Sequence, residues 1–449
     1  MKIDSKKKLL DKIHIVGGGP AGLSVGYYAN KLDLDVSVFE ASGSIGGNCK
    51  TLIDGEFRYD TGAHRLHDKN KSITKEIKTL LGNDLKKVTS PSKIYYKQKF
   101  YNFPIKVSDL VSNLSFFIIV QIIFENIIIR LRRKDSIKHF RDLAYNSYGK
   151  TISEMFLIPY TEKLWGDDAR NLDTSITGGR LKELNIRSLI KDMVMSRAND
   201  SDHMEGAFYY PKLGFGEIFN ALGLRIGMDK IFLNREISRI NHDNEKILSF
   251  VDSNGTITDV ENLVFTASLN TLIDSLKPSP PKKIVDILNT INFRTIMICV
   301  MYLDMKNFSS NASIYFSDPS CPFTRIYEPK NRSDQMSPKE KTSIVIEVPM
   351  GDRNIDESLS KEDIYDKVIK YLQTEKLIDE EKIINYKLVK VNDAYPIITK
   401  DSKNKIEIIK NYLAKFKNLD LIGRNATFEY LHTHDIMERS RVLINKMAS

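Results

Sequence analysis

The segment Ile13–Gly47, IHIVGGGPAGLSVGYYANKLDLDVSVFEASGSIGG, constrains the fold more than any other part of the chain. It reads as a short apolar strand, a turn Gly17-x-Gly19-x-x-Gly22, a helix, a second apolar strand ending in Glu40, and a glycine pair at Gly46-Gly47. This is the order of a βαβ unit, and each residue type has a physical reason. Gly17 permits a tight strand-to-helix turn, Gly19 lets the backbone approach a pyrophosphate, and Gly22 lets the helix pack closely on the sheet. The helix N-terminus then faces negative charge. Glu40 stands eighteen residues beyond Gly22, the right separation for a carboxylate to reach a ribose hydroxyl. An ordinary βαβ unit with a glycine-rich turn explains the first three glycines but not Glu40 and Gly46-Gly47 together. Gly17, Gly19, Gly22, Glu40, Gly46, Gly47 and the adjoining Asn48 are therefore candidate contacts to an adenine dinucleotide.

With 449 residues, the chain is long enough for two or more domains with substantial cores. Its 41% hydrophobic and 28% charged residues are the proportions of a soluble globular protein. The net charge of +9 has two readings. One is a basic cleft for a phosphorylated substrate; the other is general lysine-rich usage, which the even spread of Lys, Ile and Asn favours. No basic run with interleaved aromatics points to nucleic acid. Cys49, Cys299 and Cys321 lack metal-ligand spacing and suit a reducing cytoplasm. The charged start, MKIDSKKKLLDK, runs directly into the first strand and does not read as a leader for removal.

Leu114–Leu131, LSFFIIVQIIFENIIIRL, is close to membrane-spanning length and is followed by Arg132-Arg133-Lys134. Gln121, Glu125, Asn126 and Arg130 interrupt it. It is read as a buried or partner-facing helix, with a monotopic membrane contact as the other reading.

Further along, Ser92–Pro104 reads as a hairpin, with aromatics alternating around Lys97-Gln98-Lys99. Residues 106–200 read as mostly helical. Arg235–Ser268 reads as a β-meander with a turn at Asn254-Gly255, and PSPP at Pro278–Pro281 marks a boundary. Strands are expected at Phe293–Leu303, Ser343–Val348 and Leu419–Ile422, and helices over 361–375, over 404–417 and from about 434. Gly214-Phe-Gly216 lacks a preceding strand in this reading, so no second dinucleotide unit, and hence no nicotinamide domain, is expected. The organisation is three pieces of one cofactor domain (1–90, 206–277 and 396–449), a hairpin and helical insertion (91–205), and a substrate region of antiparallel sheet and helices (278–395).

One dinucleotide site at the N-terminus, with a terminal strand and helix returning to it, resembles the glutathione-reductase-type FAD fold. More specific segments follow. YDTGAHRLH (Tyr59–His67), the hairpin SPSKIYYKQKFYNFP, YTEKLWG (Tyr160–Gly166), PFTRIYEPK (Pro322–Lys330), the pair Tyr395-Pro396 and GRNATFEY (Gly423–Tyr430) resemble, in order and approximate spacing, motifs of the UDP-galactopyranose mutases. The same framework is shared by flavoproteins similar to protoporphyrinogen oxidase and the amine oxidases. The chain departs from the mutase pattern where Gly178-Gly179 precedes Arg180, one position late, and where His432 and His434 occupy the end motif.

The resemblance implies an α/β fold: an FAD-binding Rossmann domain with inserted helical and antiparallel-sheet substrate domains. It implies FAD as cofactor, with His64, Gly423 and Arg424 added to the cofactor contacts. It implies a reduced flavin whose N5 attacks the anomeric carbon of a nucleotide-diphosphate sugar, interconverting pyranose and furanose with no net redox change. Under that reading Arg325 clamps the diphosphate, the alternative being a surface salt bridge with Glu328. Arg180 is a second cation, and Tyr395 and Tyr430 donate hydrogen bonds to the phosphates. Trp165 either stacks beside the substrate or packs in the core. His67 is the flavin-proximal histidine, with a purely structural histidine as its alternative. The spacing of His432 and His434, without a third ligand nearby, does not suggest a metal. The shared framework implies the other reading, an FAD-dependent oxidase or dehydrogenase. Either reading calls for a small-molecule substrate; the mutase reading also calls for an external flavin reductant. A homo-oligomer is compatible with both.

Overall fold

Ile13–Val16 and Val36–Phe39 are buried along their whole lengths, as strands must be when helices or loops cover both faces of a parallel sheet. The computed structural model describes residues 12–131, 136–178, 207–351 and 355–449. In it, five parallel strands run side by side in the order Leu419–Leu421, Asn262–Phe265, Ile13–Val16, Val36–Phe39 and Ile231–Phe232. The ends of the chain therefore meet in one sheet. The first helix, Pro20–Lys31, opens with proline at its start, where the missing N–H costs no helical bond. It is buried from Ala21 to Ala29, between helix Glu217–Ile226 and the terminal helix Thr433–Ala448.

The expected meander is present as Ile237–His242, Ile247–Asp252 and Ile257–Asp259, after which Asn262–Phe265 enters the parallel sheet. A strand does precede Gly214-Phe-Gly216: Phe208–Pro211 pairs antiparallel with Leu85–Val88, outside the parallel sheet, so it does not build a second βαβ unit.

The third large element is a seven-stranded sheet, in the order Ile383–Pro396, Phe293–Leu303, Thr342–Pro349, Arg325–Tyr327, Ser313–Phe316, Ser92–Tyr96 and Lys99–Phe103. The early hairpin thus shares a sheet with strands some two hundred residues later, through parallel pairing of Ser92–Tyr96 with Ser313–Phe316. Its turn is two residues, Lys97 and Gln98, both at positive φ, the conformation whose twist matches a hairpin; Lys99 already belongs to the strand. Ile383–Pro396, the long edge strand paired with Phe293–Leu303, was not anticipated. Exposed Lys387 and Lys390 point to opposite faces of the strand, alternating with Leu388 and Val389, so the apolar pattern that reveals inner strands is diluted on both faces. The helix expected at 404 begins at Lys400, because Thr399 and Ser402 cap it reciprocally.

Helix Phe116–Leu131 is not buried as a whole. Ile118, Ile122 and Asn126 face the protein, with Ile122 packed among Tyr101, Leu110 and Phe156. The opposite side is open, with Phe116 74%, Phe117 83% and Phe124 63% exposed. Among the described residues, no helix is long and apolar enough to cross a membrane.

Candidate functional site

The glycine turn forms a narrow slot at the start of helix Pro20–Lys31. Gly17 sits at φ +105°, and a Cβ there would lie 2.4 Å from Thr266 Oγ1. A Cβ on Gly22 would lie 1.8 Å from the Gly17 carbonyl oxygen, so only glycine allows this helix to start so close to the strand. The second glycine pair forms the facing wall: Gly46 N donates to Gly18 O at 2.8 Å, and a Cβ on Gly19 would meet Gly47 Cα at 3.6 Å. At the end of the second strand, Glu40 accepts from Gly18 N at 2.6 Å and from Ser42 N at 2.9 Å. Its carboxylate is thereby held beside the turn. Two backbone walls without side chains, a helix N-terminus and a fixed carboxylate fit the adenosine-diphosphate half of FAD. Gly17, Gly19, Gly22, Glu40, Gly46 and Gly47 would hold that half.

The C-terminal segment closes the same slot. Gly423 packs so tightly on the first helix that a Cβ there would lie 2.7 Å from Ala21 Cβ. The following residue, Arg424, donates to Ala394 O at 3.1 Å and Leu431 O at 2.8 Å. Asn48 reaches the same strand end, donating to Asn392 O at 3.0 Å. The peptide oxygen of Asn48 lies 2.9 Å from His64 Nε2, so Nε2 carries the proton. Nδ1 of His64 then faces the Cys49 thiol at 3.9 Å. Burial, then the charges of Arg424, Arg332 and Arg325, hold the His64 pKa down to about 3, while burial pushes the Cys49 thiol up to about 12. Both groups are neutral near pH 7.

Beyond this point the site becomes aromatic and cationic. The Arg424 guanidinium lies over the rings of Tyr395 and Tyr430, 5.4 and 5.0 Å from their centroids. Trp165 packs against both rings, at 5.6 and 5.3 Å. Trp165 is buried, whereas the two tyrosines are only partly so, so the indole supports the tyrosines from behind. Tyr430 continues to His432 at 5.2 Å, and His432 stacks on His434 at 5.6 Å. Among the described residues, no three His, Cys, Asp or Glu side chains form a group that could hold a metal ion.

Arg325 belongs to the same neighbourhood, but its partner is not Glu328. Glu328 instead accepts from Phe308 N, Ser309 N and Thr342 Oγ1. Arg325 donates from Nε and Nη2 to Glu347, at 3.0 and 2.7 Å. The two residues sit opposite each other on adjacent strands. Burial works against the guanidinium charge, but Glu347 and the hydroxyls of Tyr160, Tyr315 and Tyr395 carry its pKa well above the ordinary arginine value. Glu347 also accepts from Ala63 N at 2.8 Å, tying the GAH segment to this pair.

The structure therefore gathers Trp165, Arg325, Tyr395, Arg424, Tyr430 and His64. The ring of His67 lies 6.2 Å from Phe208, next to Leu66, which bridges Tyr209. Arg180 lies outside the described residues. Sequence reading missed Glu347, Arg332 and Tyr160. Arg332 stacks on Tyr327 at 4.1 Å and donates to His64 O at 3.0 Å. Tyr160 was within reach, since it opens the YTEKLWG segment.

Several known proteins are similar to this chain in sequence or in structure. The protoporphyrinogen oxidase of Dictyostelium discoideum is 23% identical over 98% of this chain and 99% of its own length. A crystal structure of reduced UDP-galactopyranose mutase superposes with a TM-score of 0.84 at 17% identity, covering 97% of this chain and 94% of that one. Cyclohexylamine oxidase from Brevibacterium oxydans superposes at 0.66 and 13% identity, over 97% and 98%. Residues 20–393 match the family described as flavin-containing amine oxidoreductase. The chain belongs to that flavin-containing amine oxidoreductase family, and its cofactor is FAD.

Proposed function

We propose that this flavoenzyme acts on a nucleotide-diphosphate sugar as a redox-neutral pyranose/furanose mutase. The observation that carries the reading is Arg424, stacked on Tyr395 and Tyr430 close to Arg325. Arg424 is held by main-chain carbonyls, so among the described residues no carboxylate neutralises it, and with His64 uncharged the site is cationic. A diphosphate suits such a site, and partly exposed tyrosine hydroxyls supply neutral donors beside it. Tyr395 stays protonated for this purpose, burial and Glu347 pushing its pKa up to about 12. Because Glu347 occupies Nε and Nη2 of Arg325, a phosphate oxygen would approach the Nη1 edge. The bound flavin would supply the nucleophile or the electron acceptor; the residues named here bind, orient and donate.

The second reading is a net oxidase or dehydrogenase. The satisfaction of Arg325 by Glu347 favours it, since a charge already paired inside the protein is a poorer clamp. To separate the two, the purified protein is reduced anaerobically, given UDP-galactopyranose, and its products analysed. Ring-contracted sugar supports the mutase. No conversion, together with oxygen consumption on an amine or a porphyrinogen, overturns it. Arg325→Lys, which keeps the charge beside Glu347 but loses the planar fork, is expected to weaken UDP binding roughly tenfold or more with flavin content unchanged; equal affinity removes Arg325 as the clamp.

A further inference from the structure

Helix Phe116–Leu131 inverts the usual arrangement of a surface helix. Among the described residues, its one buried polar side chain, Asn126, donates to Ile122 O at 2.7 Å on the inner side. The outward arc presents Phe116, Phe117, Val120, Ile123, Phe124 and Ile127, all exposed. Glu125, the helix's one acidic residue, is turned inward, accepting from Thr151 N and Thr151 Oγ1 at 2.8 Å each. Thus the exposed arc carries no carboxylate, and among the described residues nothing covers it. A contiguous apolar patch of this kind is costly in water and marks an interaction surface.

The charges at its ends say what that surface meets. Lys99, at the hairpin end, donates to Asn113 O at 2.7 Å, just before the helix begins; Lys97 and Lys106 are exposed nearby in sequence. Lys138 is exposed past the other end, and the sequence between carries Arg132-Arg133-Lys134. Cations at both ends disfavour a second copy: antiparallel pairing would set Lys99 against the other basic end, and parallel pairing would set like against like. An anionic surface complements both ends at once.

We propose that this helix docks in the plane of an anionic lipid bilayer, with its phenylalanines in the interface and the flanking lysines at the headgroups. At sixteen residues it lies on the bilayer rather than spanning it. The proposal is independent of the substrate.

The test uses the flavin-loaded full chain and sedimentation with vesicles of phosphatidylcholine alone or mixed with phosphatidylglycerol. The expected result is association with the anionic vesicles, weakened by salt, and reduced roughly tenfold or more in F117S/F124S. Flavin absorbance and melting temperature of the variant, unchanged because both residues are exposed, report that it is folded. Failure of the wild type to bind anionic vesicles, or equal binding by the variant, overturns the proposal. If sedimentation velocity shows a dimer that F117S/F124S dissociates, while vesicle binding is absent or insensitive to the substitutions, the face belongs to a second copy and the lipid assignment is wrong.

Discussion

His64 is a base kept from its proton. Burial, and after it three arginines, hold its folded pKa down to about 3, against 6.5 for the free side chain. Below pH 6.5 the unfolded chain therefore binds a proton that the folded chain refuses. Stability from this group is fully present above 6.5 and falls as pH drops toward 3, by at most about 1.4 kcal/mol per pH unit. His14, His242 and His434 are also lowered, chiefly by burial, so the total acid sensitivity is shared. Urea unfolding from pH 7.5 to 4.5 is expected to show a shallower decline in His64→Gln than in wild type; identical slopes would mean that His64 titrates normally. The resemblance pointed to His67 as the flavin-proximal histidine and to His64 as a cofactor contact, while it is His64 that lies between Asn48 and Cys49. The GAH motif placed both near the cofactor, but the orientation of each side chain depends on strand pairing more than a hundred residues away. The glycines and Glu40 were legible because their work is done by the local backbone. Glu347 was not, because nothing near it in sequence marks it.

At the scale of elements, Arg325 and Glu347 are a cross-strand pair, and both side chains are nearly buried. Glu347→Gln leaves the guanidinium without its counter-charge in the sheet interior, where removing one partner of a buried pair costs about 3–5 kcal/mol. Chemical denaturation checks this directly, and a loss within error of zero would mean that water reaches the pair. Strands with apolar faces, such as Phe293–Leu303 and Thr342–Pro349, announced themselves by composition. Ile383–Pro396 did not, since exposed lysines interrupt its apolar residues on both faces. The apolar helix was legible as a helix, whereas which side it shows to the core depended on the position of Ile122 and Asn126 against Tyr101 and Tyr148.

For the whole molecule, the decisive closure is that of Gly423 onto Ala21, which brings the last strand and the terminal helix to the first glycine turn. Gly423→Val would place branched carbon at φ +105° and 2.7 Å from Ala21 Cβ, forcing the segment away from the slot. The expected outcome is purified protein with a several-fold lower ratio of flavin to protein absorbance; undiminished flavin would mean that the N-terminal half of the slot suffices. The overall architecture was legible because a dinucleotide turn at one end and a returning strand at the other permit few arrangements. The sharing of one sheet by Ser92–Tyr96 and Ser313–Phe316 is a long-range pairing that no local pattern encodes.

The order of the parallel sheet also imposes a timetable on the ribosome. The strand Asn262–Phe265 pairs on one side with Ile13–Val16 and on the other with Leu419–Leu421. At about 5–20 residues per second, the roughly 400 residues between the outer two take tens of seconds to synthesise. Throughout that interval the glycine turn exists without the wall that Gly423 provides. The nascent chain therefore carries one open sheet edge, at Asn262–Phe265, until its last strand is made. Until Leu419–Leu421 emerges and pairs, that edge is open to the quality-control machinery of the cell.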